Sequence, residues 1–148
     1  MTRLFMLAAL LLVGALDAIA ADAQPAQQAG AVGRWLTQSG NFEIDIASCG
    51  QALCGTVVRV LGNQSMSRPG TEMKPADTKN ALGMKILSEL VPSDDGTLEG
   101  QIYNRENGKT YDCRVTALAP DQLEIRAYKF LPIFGKSQVW TRVGPKKS

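Results

Sequence analysis

The chain has 148 residues, a formal net charge of +2 and no histidine. Charges of both signs are interspersed except at Lys146-Lys147, so there is no basic stripe of the kind nucleic-acid binding needs. Without histidine, Ser-His-Asp and Cys-His nucleophile systems and His-based zinc sites cannot be assembled within this chain.

The opening segment MTRLFMLAALLLVGALDAIAADA reads as an export signal. Arg3 supplies the positive start and Leu4 to Leu16 the apolar stretch, which is too short to span a bilayer comfortably. Ala18-Ile19-Ala20 and Ala21-Asp22-Ala23 both fit a small-x-small cleavage rule. Residues 1–20 are therefore expected to be removed, with cleavage after Ala23 as the alternative. The processed protein is expected in the periplasm or outside the cell, as a monomer with no membrane span. Residues 21–31, with the polar run QPAQQAGA, read as a flexible leader, 32–144 as one folded domain, and 145–148 as a solvated basic tail.

The rest of the chain alternates with a period of two. Phe42, Ile44 and Ile46 oppose Glu43 and Asp45. Tyr111, Cys113, Val115 and Ala117 oppose Asp112, Arg114 and Thr116. Leu123, Ile125 and Ala127 oppose Glu124, Arg126 and Tyr128. LCGTVVRVL is β-branched and nearly continuous, as in a well-buried strand. Turn residues separate these runs at short intervals: Ser39-Gly40, CGQALC, SDDG, NRENG and Ala119-Pro120-Asp121. The pattern predicts an all-β domain of about eight short strands, arranged as an antiparallel sandwich or barrel. ALGMKILSEL (81–90) is ambiguous. Leu82, Met84 and Ile86 alternate as in a strand, whereas Leu82, Ile86, Leu87 and Leu90 also fit a helical stripe. Gly83 weakens the helix, and a strand is expected. Gly62 to Asn80 is polar, carries two prolines and has no period, which predicts a long loop, functional or disordered.

Cys49 and Cys54 follow one strand and open the next, with Gly50-Gln51-Ala52-Leu53 expected as a tight hairpin loop between them. Export places them in an oxidising space. A redox pair would want Cys-x-x-Cys at a helix start, and zinc would want four ligands, which three cysteines supply only with a carboxylate. A Cys49–Cys54 disulfide is the expectation, worth on the order of 2 kcal/mol for so short a loop. Cys113 shares a face with Tyr111 and Val115 and reads as a small buried hydrophobe. No metal or cofactor is expected. Gly135-Lys136-Ser137 and Gly108-Lys109-Thr110 end like phosphate loops, but Phe130 and Tyr103 stand where the earlier glycine belongs.

Gly33-Arg34-Trp35 opens the first strand and Trp140-Thr141-Arg142 lies in the last. A glycine two before a tryptophan, with an arginine near the end of the sheet, resembles the lipocalin and calycin signature. That resemblance implies a single small antiparallel β-barrel of about eight strands whose last strand closes on its first, with the arginine covering the indole in a cation–π contact. Gly33, Trp35, Trp140 and Arg142 are then barrel-closing residues. Read together, GRWLT, FEIDIASCGQALCGTVVRV, ALGMKIL, GQIYNRENGKTYDCRVTAL, LEIRAY and FGKSQVWTRV resemble the bacterial secreted family known as domain of unknown function (DUF) 2147, over Val32 to Val143. The resemblance implies export, one β-rich domain and no agreed activity. The family's usual arginine-containing stretch before "LLGL" has no counterpart here, where Asp77-Thr78-Lys79-Asn80 runs directly into Ala81.

These readings point to a non-catalytic binding protein holding a small apolar or amphipathic ligand in its barrel. Asn104, Lys109, Phe130, Leu131, Ile133 and Phe134 are candidates for its rim. The alternative is an envelope protein with a filled core that binds another protein or a cell-wall component. An enzyme is disfavoured, because no activated-nucleophile pattern appears. Tyr103 and Tyr111, flanking NRENG, are expected to pair across a hairpin.

Overall fold

A computed structural model describes residues 26–144, apart from the side chain of Phe134. The expected signal segment 1–20 with its cleavage sites, and the Lys146-Lys147 tail, lie outside the described residues. Within them a short helix, α1 (Ala26–Ala31), precedes eight strands: β1 (Gly33–Leu36), β2 (Phe42–Cys49), β3 (Ala52–Val60), β4 (Lys85–Pro92), β5 (Leu98–Asn104), β6 (Lys109–Ala119), β7 (Gln122–Tyr128) and β8 (Lys136–Arg142). Each strand pairs antiparallel with the next, and β8 returns to β1 to close the barrel. Up-and-down connectivity puts the connections at alternating ends. One end, the floor, carries the β2–β3, β4–β5 and β6–β7 turns. The other, the mouth, carries the β1–β2 turn, the long β3–β4 connection, the β5–β6 hairpin loop and the β7–β8 loop.

The alternating residues do what their period predicts. Trp35, Ile44, Leu53, Leu87, Leu90, Cys113, Leu123 and Ile125 have no accessible surface, and Ile46, Leu98, Val115 and Trp140 have at most 2%. A chamber able to admit a water-sized probe would leave its lining some accessible surface, so at these levels the barrel is filled by its own side chains. Two glycines mark how tight the packing is. A methyl on Gly55 would lie 3.0 Å from both Ile44 and Leu87, and one on Gly100 would lie 2.5 Å from the Ser88 carbonyl oxygen.

Strand β4 resolves the ambiguity of 81–90. It begins at Lys85, and Leu82, expected inside the alternation, precedes it and is 54% exposed. The apparent helical stripe of Leu87 and Leu90 has a β explanation. Three steps on β4, from Ser88 to Val91, face two on β5, from Gln101 to Glu99. The extra residue is a bulge, with Glu89 at φ 54°, and it turns Leu87 and Leu90 to the same buried side. Gly100 lies under that bulge, which is why it can carry no side chain.

The expected flexible leader is corrected from Ala26 onward. Six residues make a marginal helix in isolation. Here α1 touches β4 and β6, strands far round the barrel from β1, so it lies across the floor. Its burial of Gln28 and Ala31 supplies the stability that its sequence lacks.

The floor is locked by Arg142. Its guanidinium carbon sits 4.1 Å from the centre of the Trp35 ring. Nε donates to the Pro120 carbonyl at 2.7 Å, Nη1 to Val32 at 3.0 Å and Nη2 to Gly30 at 3.1 Å. The Trp35 indole N–H donates to the Ala31 carbonyl at 2.8 Å. Gly33 has φ 133°, and a Cβ there would lie 2.4 Å from Arg142 Nη1, so both conformation and space require glycine. Gly33, Trp35 and Arg142 thus meet at one seam, while Trp140 lies buried on β8 opposite Leu123 and donates its indole N–H to Gln138 at 2.7 Å.

Cys49 and Cys54 form a disulfide. The hairpin is tighter than expected: Cys49 pairs with Ala52 across a two-residue Gly50-Gln51 turn, and Cys54 lies opposite Ala47. Tyr103 and Tyr111 are not a cross-strand pair. Tyr103 faces Thr110 and Tyr111 faces Ile102, which places the two rings on opposite sides of the sheet.

Arg142→Lys keeps the charge but loses the planar fork and most of its carbonyl contacts. The expected cost is roughly 2–4 kcal/mol of unfolding free energy in urea titration. Reduction of the protein should add two hydrogens to its mass through Cys49 and Cys54 alone, with about 2 kcal/mol of stability lost.

Candidate functional site

With the interior filled and the floor sealed, the mouth is where the fold leaves chemistry exposed. Nine large apolar side chains are exposed among the described residues. Seven of them, Val60, Leu61, Met66, Leu82, Phe130, Leu131 and Ile133, lie at the mouth end or in its connections.

The long loop is strapped down rather than free to swing as a lid. Asn41 is buried where the loop leaves β3. Its side chain bonds both ways with the backbone of Gln64, at 2.7 and 2.9 Å. Glu106, in the β5–β6 hairpin loop, gathers the next segment. Its carboxylate accepts from the hydroxyls of Ser65 and Ser67 and from the backbone N–H groups of Met66 and Ser67. These donors hold its pKa below the usual carboxylate range, the Ser65 bond contributing most. Further along, Tyr103 donates to Asp77, and Ala76 and Lys79 bond with Arg105. The Tyr103 phenol is held above its ordinary pKa by Asp77, so it is a donor and not a base.

Asn104 and Lys109 fall at the two ends of the hairpin loop. Asn104 Oδ1 accepts the backbone N–H of Glu106 at 2.9 Å and of Asn107 at 3.4 Å, which makes it a turn cap. The Lys109 N–H donates to Asn107 at 3.0 Å, and its side chain is exposed. Inside the mouth the Tyr111 hydroxyl accepts from Asn107 at 2.8 Å, and the Lys129 ammonium lies 5.4 Å from the Tyr111 ring centre.

The β7–β8 loop stands out. Phe130 is 91% exposed, Ile133 75% and Leu131 54%, while of Phe134 only the backbone is described. The loop is nevertheless braced. Arg126 donates to the carbonyls of Pro132 and Ile133 and to the Ser137 hydroxyl, and Phe130 holds φ 68°, unusual for a bulky residue. Residues 132–134 form a single 3-10 turn. The apolar stretch was legible in the sequence. The arginine behind it was not, because a strand position in LEIRAY carries no sign of what it reaches.

Other features offer less. A surface groove of about 460 Å³ runs outside the wall beside Asp77, Leu82, Met84 and Tyr103. A second, of about 580 Å³, lies over Arg34, Glu43, Asp45 and Arg59. In the second, two cations and two carboxylates already pair with one another. Burial pushes the Cys113 thiol up to about 12, so this free cysteine is inert. Among the described residues no group of three or more Cys, Asp or Glu could hold a metal ion.

The family described as "Uncharacterized protein conserved in bacteria (DUF2147)" matches residues 33–142. No curated protein matches the chain. A solved structure described as protein HP1028 from Helicobacter pylori, belonging to the lipocalin family, superposes with a TM-score of 0.56 at 19% identity. That superposition covers 78% of this chain and 84% of the other. At this identity the likeness establishes the barrel fold.

Because the fold lowers the pKa of Glu106, its anchoring of the loop is complete above the ordinary value of 4.5 and is lost as pH falls through the lower folded value. The protection factors of the Met66 and Ser67 amides, with the intrinsic pH dependence of exchange divided out, should therefore fall in acid, and Glu106→Gln should lower them about tenfold already at neutral pH.

Proposed function

The chain belongs to the DUF2147 family of bacterial proteins, and we propose that it is an exported, non-catalytic binding protein that engages an apolar or amphipathic partner at the mouth of its barrel. The observation carrying this reading is the contrast between a filled interior and the braced, exposed Phe130, Leu131 and Ile133. Barrels of this architecture commonly take a small ligand, which supports binding as the general role. The packing shifts the expected position of that ligand from the depth of the barrel to its rim. Export rests on the composition of residues 1–20, and the non-catalytic reading on the missing histidine and the inert Cys113 thiol.

A second reading draws on the same filled core. An envelope interaction protein would use the rim to dock another macromolecule, with no small ligand involved. Native mass spectrometry of protein taken from a periplasmic extract separates the two, since only the first brings a small molecule with it.

The rim itself is tested by titrating the mature protein with a fluorescent fatty acid below its micelle concentration. The double variant Phe130→Ser, Ile133→Ser should bind about tenfold more weakly than the wild type, as expected for two lost apolar contacts. Equal binding by both proteins would move the site away from the rim.

A further inference from the structure

The β7–β8 loop has a shape and a charge setting that select among partners. Resting on the rim reading above, we infer that it is a membrane-contact loop that seats on an anionic bilayer surface. Three features lead there. First, Phe130, Leu131 and Ile133 are strongly exposed and line neither of the grooves described above, so they give a small molecule little to be enclosed by. Second, the patch is far smaller than the roughly 20–30 residues a stable protein interface uses on each side. Aromatic and aliphatic side chains on a convex tip can instead sink into the headgroup and acyl boundary, as the apolar face of an interfacial segment does.

Third, the surroundings are cationic. Lys129 and Lys136 flank the loop, and Lys109 stands at the same end of the neighbouring strand. All three side chains are exposed, and none forms an ion pair among the described residues. Of the nearby carboxylates, Glu106 is engaged by the long loop, and Asp112 lies a step back from the tip, opposite Tyr128. An apolar tip ringed by lysines matches a surface with anionic headgroups above an acyl phase. Each lysine close to such a surface adds about fivefold in affinity at low salt. The Arg126 brace also means the tip is already ordered before contact, so little flexibility is lost on docking. A loop that anchors this way binds reversibly, since three side chains hold far less firmly than a spanning helix.

The test is co-sedimentation of the mature chain with vesicles of phosphatidylglycerol and phosphatidylcholine in equal parts, against vesicles of phosphatidylcholine alone. Wild type should partition onto the anionic vesicles and be released by salt. Phe130→Ser with Ile133→Ser, and separately Lys129→Gln with Lys136→Gln, should each reduce partitioning about tenfold. All four positions are exposed, and unfolding curves check that the variants keep their fold. Phe130→Trp adds a direct readout: its emission should shift to the blue on anionic vesicles, because Trp35 and Trp140 are buried and contribute a constant background. Equal partitioning of wild type and variants, or no blue shift, overturns the inference. No vesicle binding with retained rim-dependent fatty-acid binding also overturns it, but leaves the rim reading standing. Loss of both would remove the rim reading as well. A rim-dependent dimer without vesicle binding would assign the patch to a second copy of the chain.

Discussion

The contact between Arg142 and Trp35 is the constraint on which the rest of this barrel depends. An antiparallel sheet of eight strands has two edges until it closes, and β1 is only four residues long. Its ladder with β8 is correspondingly brief, pairing Trp35 with Arg142 and Leu36 with Thr141. One guanidinium stacks on the indole and donates to three carbonyls from the leader helix, the start of β1 and the β6–β7 turn. It therefore ties the two edges together and fixes α1 across the floor. Gln38 continues the seam beyond β1 by accepting the Val139 N–H at 2.7 Å. Barrel closure removes the exposed edges that would otherwise invite strand addition.

What the seal makes possible is a division of labour between the ends. The floor holds the disulfide, the helix and the arginine, and its role is stability. The interior is packed so closely that Gly55 and Gly100 have no room for a methyl group. That leaves the mouth as the end proposed for binding, where Glu106 and Asn41 hold one long loop in place and Arg126 braces a short apolar one. Both loops are ordered by polar groups behind them, so the exposed surface is presented rather than left over.

Much of this was legible in the sequence because a barrel strand writes its inner face every second residue. Ile44 and Ile46, Cys113 and Val115, and Leu123 and Ile125 announce their faces before any coordinate is known. The G-x-W motif and the late arginine point to the seam, and two cysteines behind an expected export signal point to a staple. The misses have definite physical origins. A bulge at Glu89 broke the period of β4, so its buried residues mimicked a helix. Helix α1 is too short to show a period, and its stability comes from the barrel it covers. The registers of the two hairpins depend on one-residue differences in turn length, which separated Tyr103 from Tyr111 and narrowed the Cys49–Cys54 turn. At the mouth, Ser65, Ser67 and Glu106 lie about forty positions apart, and nothing local marks them as partners.

The central claim is that partners engage the rim and leave the interior of the barrel closed. Trp35 and Trp140 are natural reporters, since both lie buried within the barrel. The most direct measurement is tryptophan quenching by a fatty acid brominated along its chain, at concentrations where a fluorescent analogue is seen to bind. Binding at the rim leaves the emission of both tryptophans unchanged. Quenching that saturates with the binding curve would place the acyl chain inside the barrel and contradict the account.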